Sequence, residues 1–355
     1  MSRYVPIRQA GAGGIGTVIA CRDTNLDRQV AVKFVQHVGE HRRLLDELAA
    51  LQLIRSMHVV EIFDVSYFDP GCRMGIVQEF IEGSDLSIHA GKLEPSNDFV
   101  RLVFQLASGL ADIHAVGVVH RDIKPANVRV DHEGILKIID FNLSRHDDDA
   151  QTQGFVGTRG FAAPELFIPG QVDFDRSIDM YALGVTAWTL LFGPKLPEAL
   201  TRHPPQPDAW KLAGGGFPVP SGSMDPELIS LLSACISDSP SSRPTAGMVA
   251  ERAGRVLLQG QHRALFVNVE GRTYELDATN QTVRLKGTHG TLVVRYDGFE
   301  FRADSLSGEV WVNNANIAMG EILPNGCVIA LGGPARRASD RVFVTMDVSH
   351  PEVVL

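Results

Sequence analysis

Short apolar runs broken by turn residues fill the N-terminal part of the chain. Val18-Ile19-Ala20 and Val30-Ala31-Val32-Lys33-Phe34-Val35 read as strands, as do Val59 to Asp64 and Gly75 to Phe80. Between them, Leu44, Leu48 and Leu51 recur at helical spacing and predict a helix over Arg42–Ile54. Ser96-Asn97-Asp98 reads as an N-terminal helix cap. Phe99, Val103, Leu106, Leu110 and Ile113 then mark one face of a helix running to Val116. Val128–Val130 and Leu136–Ile139 form an expected hairpin, and Met180–Phe192 an expected buried helix. The proline- and glycine-rich stretch Pro194–Pro226 reads as a loop with a short helix. Beyond Gln261 the period changes to short, turn-bounded strands: Leu265–Val269, Thr273–Leu276, Thr282–Leu285, Thr291–Val294, Phe299–Phe301, Glu309–Val312 and Val328–Leu331. That pattern predicts a β-sandwich.

Composition narrows the function classes. The chain has 355 residues, 44% of them hydrophobic, enough for more than one core. A formal net charge of -9 and a pI near 5.7 argue against nucleic acid or an anionic membrane as main partner. No N-terminal signal pattern precedes the first glycines, and the longest apolar stretch is too short to span a bilayer. Cys21, Cys72, Cys235 and Cys327 show no paired spacing, so neither a zinc site nor a disulfide framework is expected, and the reading is a cytoplasmic protein.

The chemistry concentrates in His120-Arg121-Asp122-Ile123-Lys124-Pro125-Ala126-Asn127, followed eighteen residues after Asp122 by Asp140-Phe141-Asn142. Asp122 can take a proton from an attacking hydroxyl, Asn127 and Asp140 offer the oxygen donors magnesium prefers, and Lys124 can neutralise a phosphoryl group. Upstream, Gly11-Ala12-Gly13-Gly14-Ile15-Gly16-Thr17-Val18 fits a glycine loop whose backbone N–H groups can approach phosphates. Alternation on both sides favours a β-hairpin there over a strand–turn–helix. Glu47 shares the apolar face of its helix and needs a cation, for which Lys33 is the nearest candidate; Glu40 competes but lies off that stripe.

These strings, in this order, resemble the protein-kinase family in its eukaryotic-like (bacterial Hanks-type) serine/threonine form, over about residues 1–258. The resemblance implies a bilobal α+β fold, with an N-lobe over about 1–81 and a C-lobe over about 82–258, that uses ATP with Mg2+, or Mn2+ in its place. It implies that Gly11, Gly13, Gly14, Gly16, Val18 and Ala31 surround the nucleotide. Lys33 would hold the α- and β-phosphates, and backbone groups of Glu79 and Ile81 the adenine, with Gln78 guarding the pocket behind. It gives structural roles to Arg121, to Asp179 as a cap on the catalytic loop, and to a Glu165–Arg243 pair. Lys124 argues for serine or threonine acceptors. Arg121 suggests control by phosphorylation, with Thr152 the first candidate and Ser144 the second, while Thr158 would shape the substrate floor. Asp147-Asp148-Asp149 either supplies negative charge already or is a solvated turn. One departure stands out: Asn142 replaces the usual glycine. It motivates an alternative, a pseudokinase scaffold that binds nucleotide or partners without turnover. A small-molecule phosphotransferase is the third reading, opposed by Ala163-Pro164-Glu165 and Arg243.

The run from Trp311 to Gly332 resembles the second half of a forkhead-associated domain, a phosphothreonine reader, and places a second, all-β domain at 262–355. That family uses an arginine in a Gly-Arg turn and a serine three residues before a histidine. His289 fits the histidine, but Lys286 stands at the serine position. Arg284 can replace the arginine, while Gly271-Arg272 has the dipeptide in an earlier strand. The resemblance implies a phosphothreonine-containing partner beside the Ser/Thr protein substrate; a sandwich docked on the kinase, or a binding module indifferent to phosphate, stays open. No nucleic-acid or membrane partner is expected.

Overall fold

The computed structural model describes residues 3–13, 16–34, 48–49, 51–68, 73–141, 160–168, 175–220 and 222–349. They fall into two compact units, Met1–Ala253 and Gly254–Val354.

The first unit opens with a five-stranded antiparallel sheet in the order β1-β2-β3-β5-β4: β1 Tyr4–Gly13, β2 Gly16–Asp23, β3 Arg28–Phe34, β4 Ile62–Phe68 and β5 Arg73–Glu79. Its register explains the lone lysine among valines. Directly opposed residues of an antiparallel pair share a face. Ile19, Val32 and Val77 align, as do Cys21 and Val30, and this face packs into a core with Tyr4. On the other face Val18, Lys33 and Ile76 align, beside Ala20, Ala31 and Gln78. The expected nucleotide-side residues Val18, Ala31, Lys33 and Gln78 therefore share one surface by strand alternation alone. The glycine loop is a β-hairpin, with Gly13 opposite Gly16. The strand expected at Val59–Asp64 instead starts at Ile62 and runs to Phe68, because Val59 and Val60 turn to bridge toward Ile138. Gly14, Glu40 and Glu47 lie outside the described residues; of the expected helix Arg42–Ile54, Leu48, Ala49 and residues 51–54 fall within them, with Leu48, Ala49 and Leu51 helical and the chain already turning at Gln52 and Leu53.

The rest of this unit is mainly helical. β6 (Gly83–Asp85) pairs with β7 (Val128–Asp131), which pairs with β8 (Leu136–Ile138); β6 is absent from the sequence reading. The helices are α1 Asn97–Ala115, α2 Ser177–Phe192, α3 Glu198–Thr201, α4 Pro207–Leu212, α5 Pro226–Cys235 and α6 Ala246–Leu257. The apolar face read for α1 is buried, with Phe99, Leu110 and Ile113 fully so. Ser96 is its N-cap residue but makes no side-chain cap bond. The α2 helix is apolar on nearly every side and buried on nearly every side, as expected. Gly184 lets α5 approach it: a Cβ there would meet the Cys235 and Ile236 side chains at 2.7 Å. Pro194–Pro226 holds two short helices, α3 and α4, rather than one.

The second unit is all-β apart from the end of α6 and one short turn of helix. β9 (Arg263–Asn268), β10 (Thr273–Leu276), β14 (Val310–Val312), β15 (Ala315–Asn316), β16 (Gly326–Leu331) and β17 (Val342–Ser349) form a sheet in the order β10-β9-β17-β16-β14-β15. β11 (Thr282–Lys286), β12 (Gly290–Tyr296) and β13 (Phe301–Gly308) form a second. Their inner faces share one core that includes Phe266, Leu292, Tyr296, Ile329 and Val344. Two strands, β15 and β17, have no counterpart in the sequence reading, and the strand expected at Phe299–Phe301 begins only at Phe301 and continues to Gly308. Phe299 and Glu300 belong to the turn instead, where both backbone N–H groups donate to Asp297 Oδ1.

Candidate active site

The segment between α1 and β7 is fixed from behind by one buried carboxylate. Asp179, on the first turn of α2, accepts the backbone N–H groups of His120 at 2.8 Å and Arg121 at 2.9 Å. Its Oδ2 also lies 2.9 Å from His114 Nε2 on α1. Arg121 adopts φ 68°, a left-handed backbone uncommon for a long side chain, and the Asp179 bonds hold it there.

The His120 ring ties this loop to the strand end that carries Asp140. Its Nε2 is 2.9 Å from the Ile139 carbonyl, so that nitrogen carries the proton, and its Nδ1 accepts the Asp122 N–H at 3.3 Å. Burial pushes the His120 imidazole below its ordinary pKa, which keeps this neutral arrangement in place. The same ring packs against Phe141 with centroids 4.7 Å apart.

The site's polar groups then meet around Asp122, which is almost fully buried. Its Oδ2 accepts Lys124 Nζ at 2.8 Å and Asn127 Nδ2 at 2.9 Å. Asn127 Nδ2 also donates to the Asp122 carbonyl at 2.7 Å. With its amide nitrogen turned to Asp122, Asn127 has its oxygen as the donor for a cation. The Ile139 N–H donates to the Asn127 carbonyl at 2.9 Å, setting Asn127 beside the Asp140 strand. From the sheet, Lys33 Nζ reaches Asp140 Oδ1 at 3.0 Å.

This donor set suits magnesium and nucleotide phosphate. Among the described residues no group of three or more His, Cys, Asp or Glu side chains can hold a metal. Asp140 and Asn127 provide two hard oxygen donors, in keeping with an ion that retains water and takes phosphate oxygens.

Other expected residues fall as follows. Glu165 and Arg243 form a forked pair at 2.6 and 2.7 Å, and Arg243 also donates to the carbonyls of Ser177 and Ser237. Glu79 ends β5, and Ile81 lies two residues further on, where the chain leaves the sheet. The Glu79 side chain takes Lys137 of β8 at 2.8 Å, an ion pair with no sequence signature. His114 was likewise missed, since a single histidine on a helix gives no pattern. Asn142, Ser144, Asp147–Asp149, Thr152 and Thr158 lie outside the described residues. In the second unit Arg284 and Lys286 are exposed on β11, and His289 is half-buried in the β11–β12 turn.

The family profile of the protein kinase domain matches residues 4–253. This chain belongs to the protein kinase family. It is 31% identical over 204 residues to mitogen-activated protein kinase 14 of Xenopus laevis, covering 54% of this chain and 55% of that protein. It is 33% identical over 209 residues to the probable serine/threonine-protein kinase pknA2 of Bifidobacterium longum, covering 55% of this chain and 27% of that one. With serine/threonine-protein kinase pkn3 of Myxococcus xanthus it shares 28% over 263 residues, covering 66% of this chain and 46% of the relative. The chain thus spans about half the length of the curated relatives it matches, or less. The all-β unit is additional to the matched kinase domain. Among the described residues no helix is long and apolar enough to cross a membrane.

Proposed function

We propose that this kinase-family chain transfers the γ-phosphoryl group of ATP to serine or threonine hydroxyls of proteins, itself included. The observation that carries the reading is Asp122, oriented by Lys124 and Asn127 in a loop anchored by Asp179. Its Oδ2 is engaged by those two side chains, so Oδ1 takes the hydroxyl proton. Lys124, close to that carboxylate, offsets the negative charge of the phosphoryl group. Lys33 would exchange Asp140 for the α- and β-phosphates, and Asp140 and Asn127 would hold the metal. Magnesium held there would neutralise charge on the nucleotide phosphates. Little covalent work falls to the protein; positioning and fixed charge supply the rate. Labelled ATP, magnesium and a generic Ser/Thr protein substrate test this: wild type should label protein and Asp122→Asn should not.

The C-terminal sandwich is forkhead-associated-like in this reading, with Arg284, Lys286 and His289 contacting a phosphothreonine partner. Two packed antiparallel sheets support the architecture. Titration of a phosphothreonine peptide into wild type and Arg284→Ala tests the binding. Affinity confined to the phosphorylated peptide and weakened in the variant is the expected result; no binding would leave the sandwich a structural or docking module.

A further inference from the structure

We infer that β11 is a docking edge for an extended acidic peptide, which pairs with it as an added strand. Hydrogen-bond alternation carries the argument. In the β11–β12 hairpin the Gly287 N–H donates to Gly290 at 2.9 Å, and at the other end the Tyr296 N–H donates to Gln281 at 2.9 Å. Facing pairs of an antiparallel ladder alternate between bonded and non-bonded. The intervening bonded pairs are therefore Leu285–Leu292 and Val283–Val294, and the non-bonded β11 residues are Thr282, Arg284 and Lys286. Their N–H and C=O groups point away from β12. β11 is the first strand of its three-stranded sheet, so that direction is the open edge. Among the described residues those backbone groups have no hydrogen-bond partner.

The side chains choose the occupant. Val283 and Leu285 are buried, so Arg284 and Lys286 stand on the outer face together with Thr282. Neither Arg284 nor Lys286 has an ion-pair partner among the described residues. Arg295, opposite Thr282, adds a third cation, with Asp304 only at 4.0 Å. Cations on an edge strand repel a second copy of the same strand. They favour an incoming strand whose outward positions are acidic, since cross-strand pairs of opposite charge stabilise and like charges oppose. Main-chain bonds would supply affinity and the alternate carboxylates specificity, as in strand addition generally. Arg284 and Lys286 also serve the phosphothreonine reading, but strand addition needs no phosphate, so binding of an unphosphorylated acidic peptide separates the two.

The test uses the full chain and a fluorescein-labelled Glu-Thr repeat of about eight residues, near the length of an ordinary strand. Fluorescence anisotropy should show saturable binding of it and none of a Lys-Thr repeat. Arg284→Glu/Lys286→Glu should weaken binding at least about tenfold. Thr282→Pro keeps every charge, removes an outward N–H that β12 does not use, and should also weaken binding; its thermal unfolding is compared with wild type to verify the fold. Absence of saturable binding, or binding that survives Thr282→Pro in a folded variant, would overturn strand addition. An oligonucleotide that binds as well and ignores Thr282→Pro would instead mark a general polyanion surface.

Discussion

Lys33 Nζ and Asp140 Oδ1 lie 3.0 Å apart and join the N-terminal sheet directly to the end of the segment that follows β8. Both side chains are mostly shielded, at 12% and 31% exposed. In the proposed reaction each has a different partner, phosphate for the lysine and metal for the carboxylate. In that reaction nucleotide binding would exchange this pair for two new contacts. Lys33→Met should lower phosphotransfer by about a hundredfold or more, the scale of losing one fixed charge at a transition state. Mn2+ binding, followed by electron paramagnetic resonance, should persist because Asp140 and Asn127 remain. Loss of Mn2+ binding in that variant would show that the lysine builds the metal site.

Asp179 accepts the backbone N–H groups of His120 and Arg121, and in the proposed reaction it would hold the loop of Asp122 without touching substrate. Asp179→Asn turns an amide N–H2 toward groups that already donate, and buried donors facing each other are costly. Phosphotransfer should fall by about tenfold to a hundredfold, the range of a misplaced reacting group. The KM for ATP should change little, since the sheet face carrying Val18 and Ala31 is untouched. A variant impaired equally in nucleotide binding would contradict this division of labour.

Arg243 has a fully buried side chain, and its forked bonds to Glu165 lock the segment after the undescribed residues 142–159 against α2. Glu165→Ala leaves that guanidinium without its carboxylate. The expected loss is about 3 kcal/mol of stability, the scale for breaking a buried pair. Urea unfolding measures it. Arg243→Lys should also destabilise, because an ammonium cannot reproduce the fork.

Two buried histidines set an acid limit. Burial pushes both His58 and His120 below the ordinary histidine value, and the His58 ring also bonds the Leu136 carbonyl through Nδ1. A depressed folded pKa means the unfolded chain binds the proton first. Their contribution is full above the unfolded value near 6.5 and is lost as pH falls from there toward the folded values. The melting temperature should drop between about pH 7 and pH 5. His58→Asn keeps an N–H for Leu136 and should flatten that slope. An unchanged slope would assign the acid sensitivity elsewhere.

Much of this was legible in the sequence. The string from His120 to Asn127 names the loop because its chemistry needs fixed offsets, and the Glu165–Arg243 pair follows from matching motifs. The α1 face was plain because one apolar stripe is buried along its whole length. What stayed hidden has physical reasons. β13 reads Phe-Arg-Ala-Asp-Ser-Leu-Ser-Gly, and a register shift opposite Val293 and Val294 breaks its alternation. β17 does alternate, burying Val344, Met346 and Val348, so its signal was present and unread. The Glu79–Lys137 and His114–Asp179 contacts join residues 58 and 65 positions apart, a relation that only the folded chain displays.

The central claim, catalysis through Asp122, is tested most directly by phosphosite mapping. Wild type and Asp122→Ala protein are incubated with ATP and magnesium, and phosphorylated residues are located by mass spectrometry. Phosphate on serine or threonine, with Thr152 and Ser144 the first positions to inspect, in wild type alone is the predicted result. Phosphate at equal levels in both proteins, or in neither while ATP still binds, would contradict it.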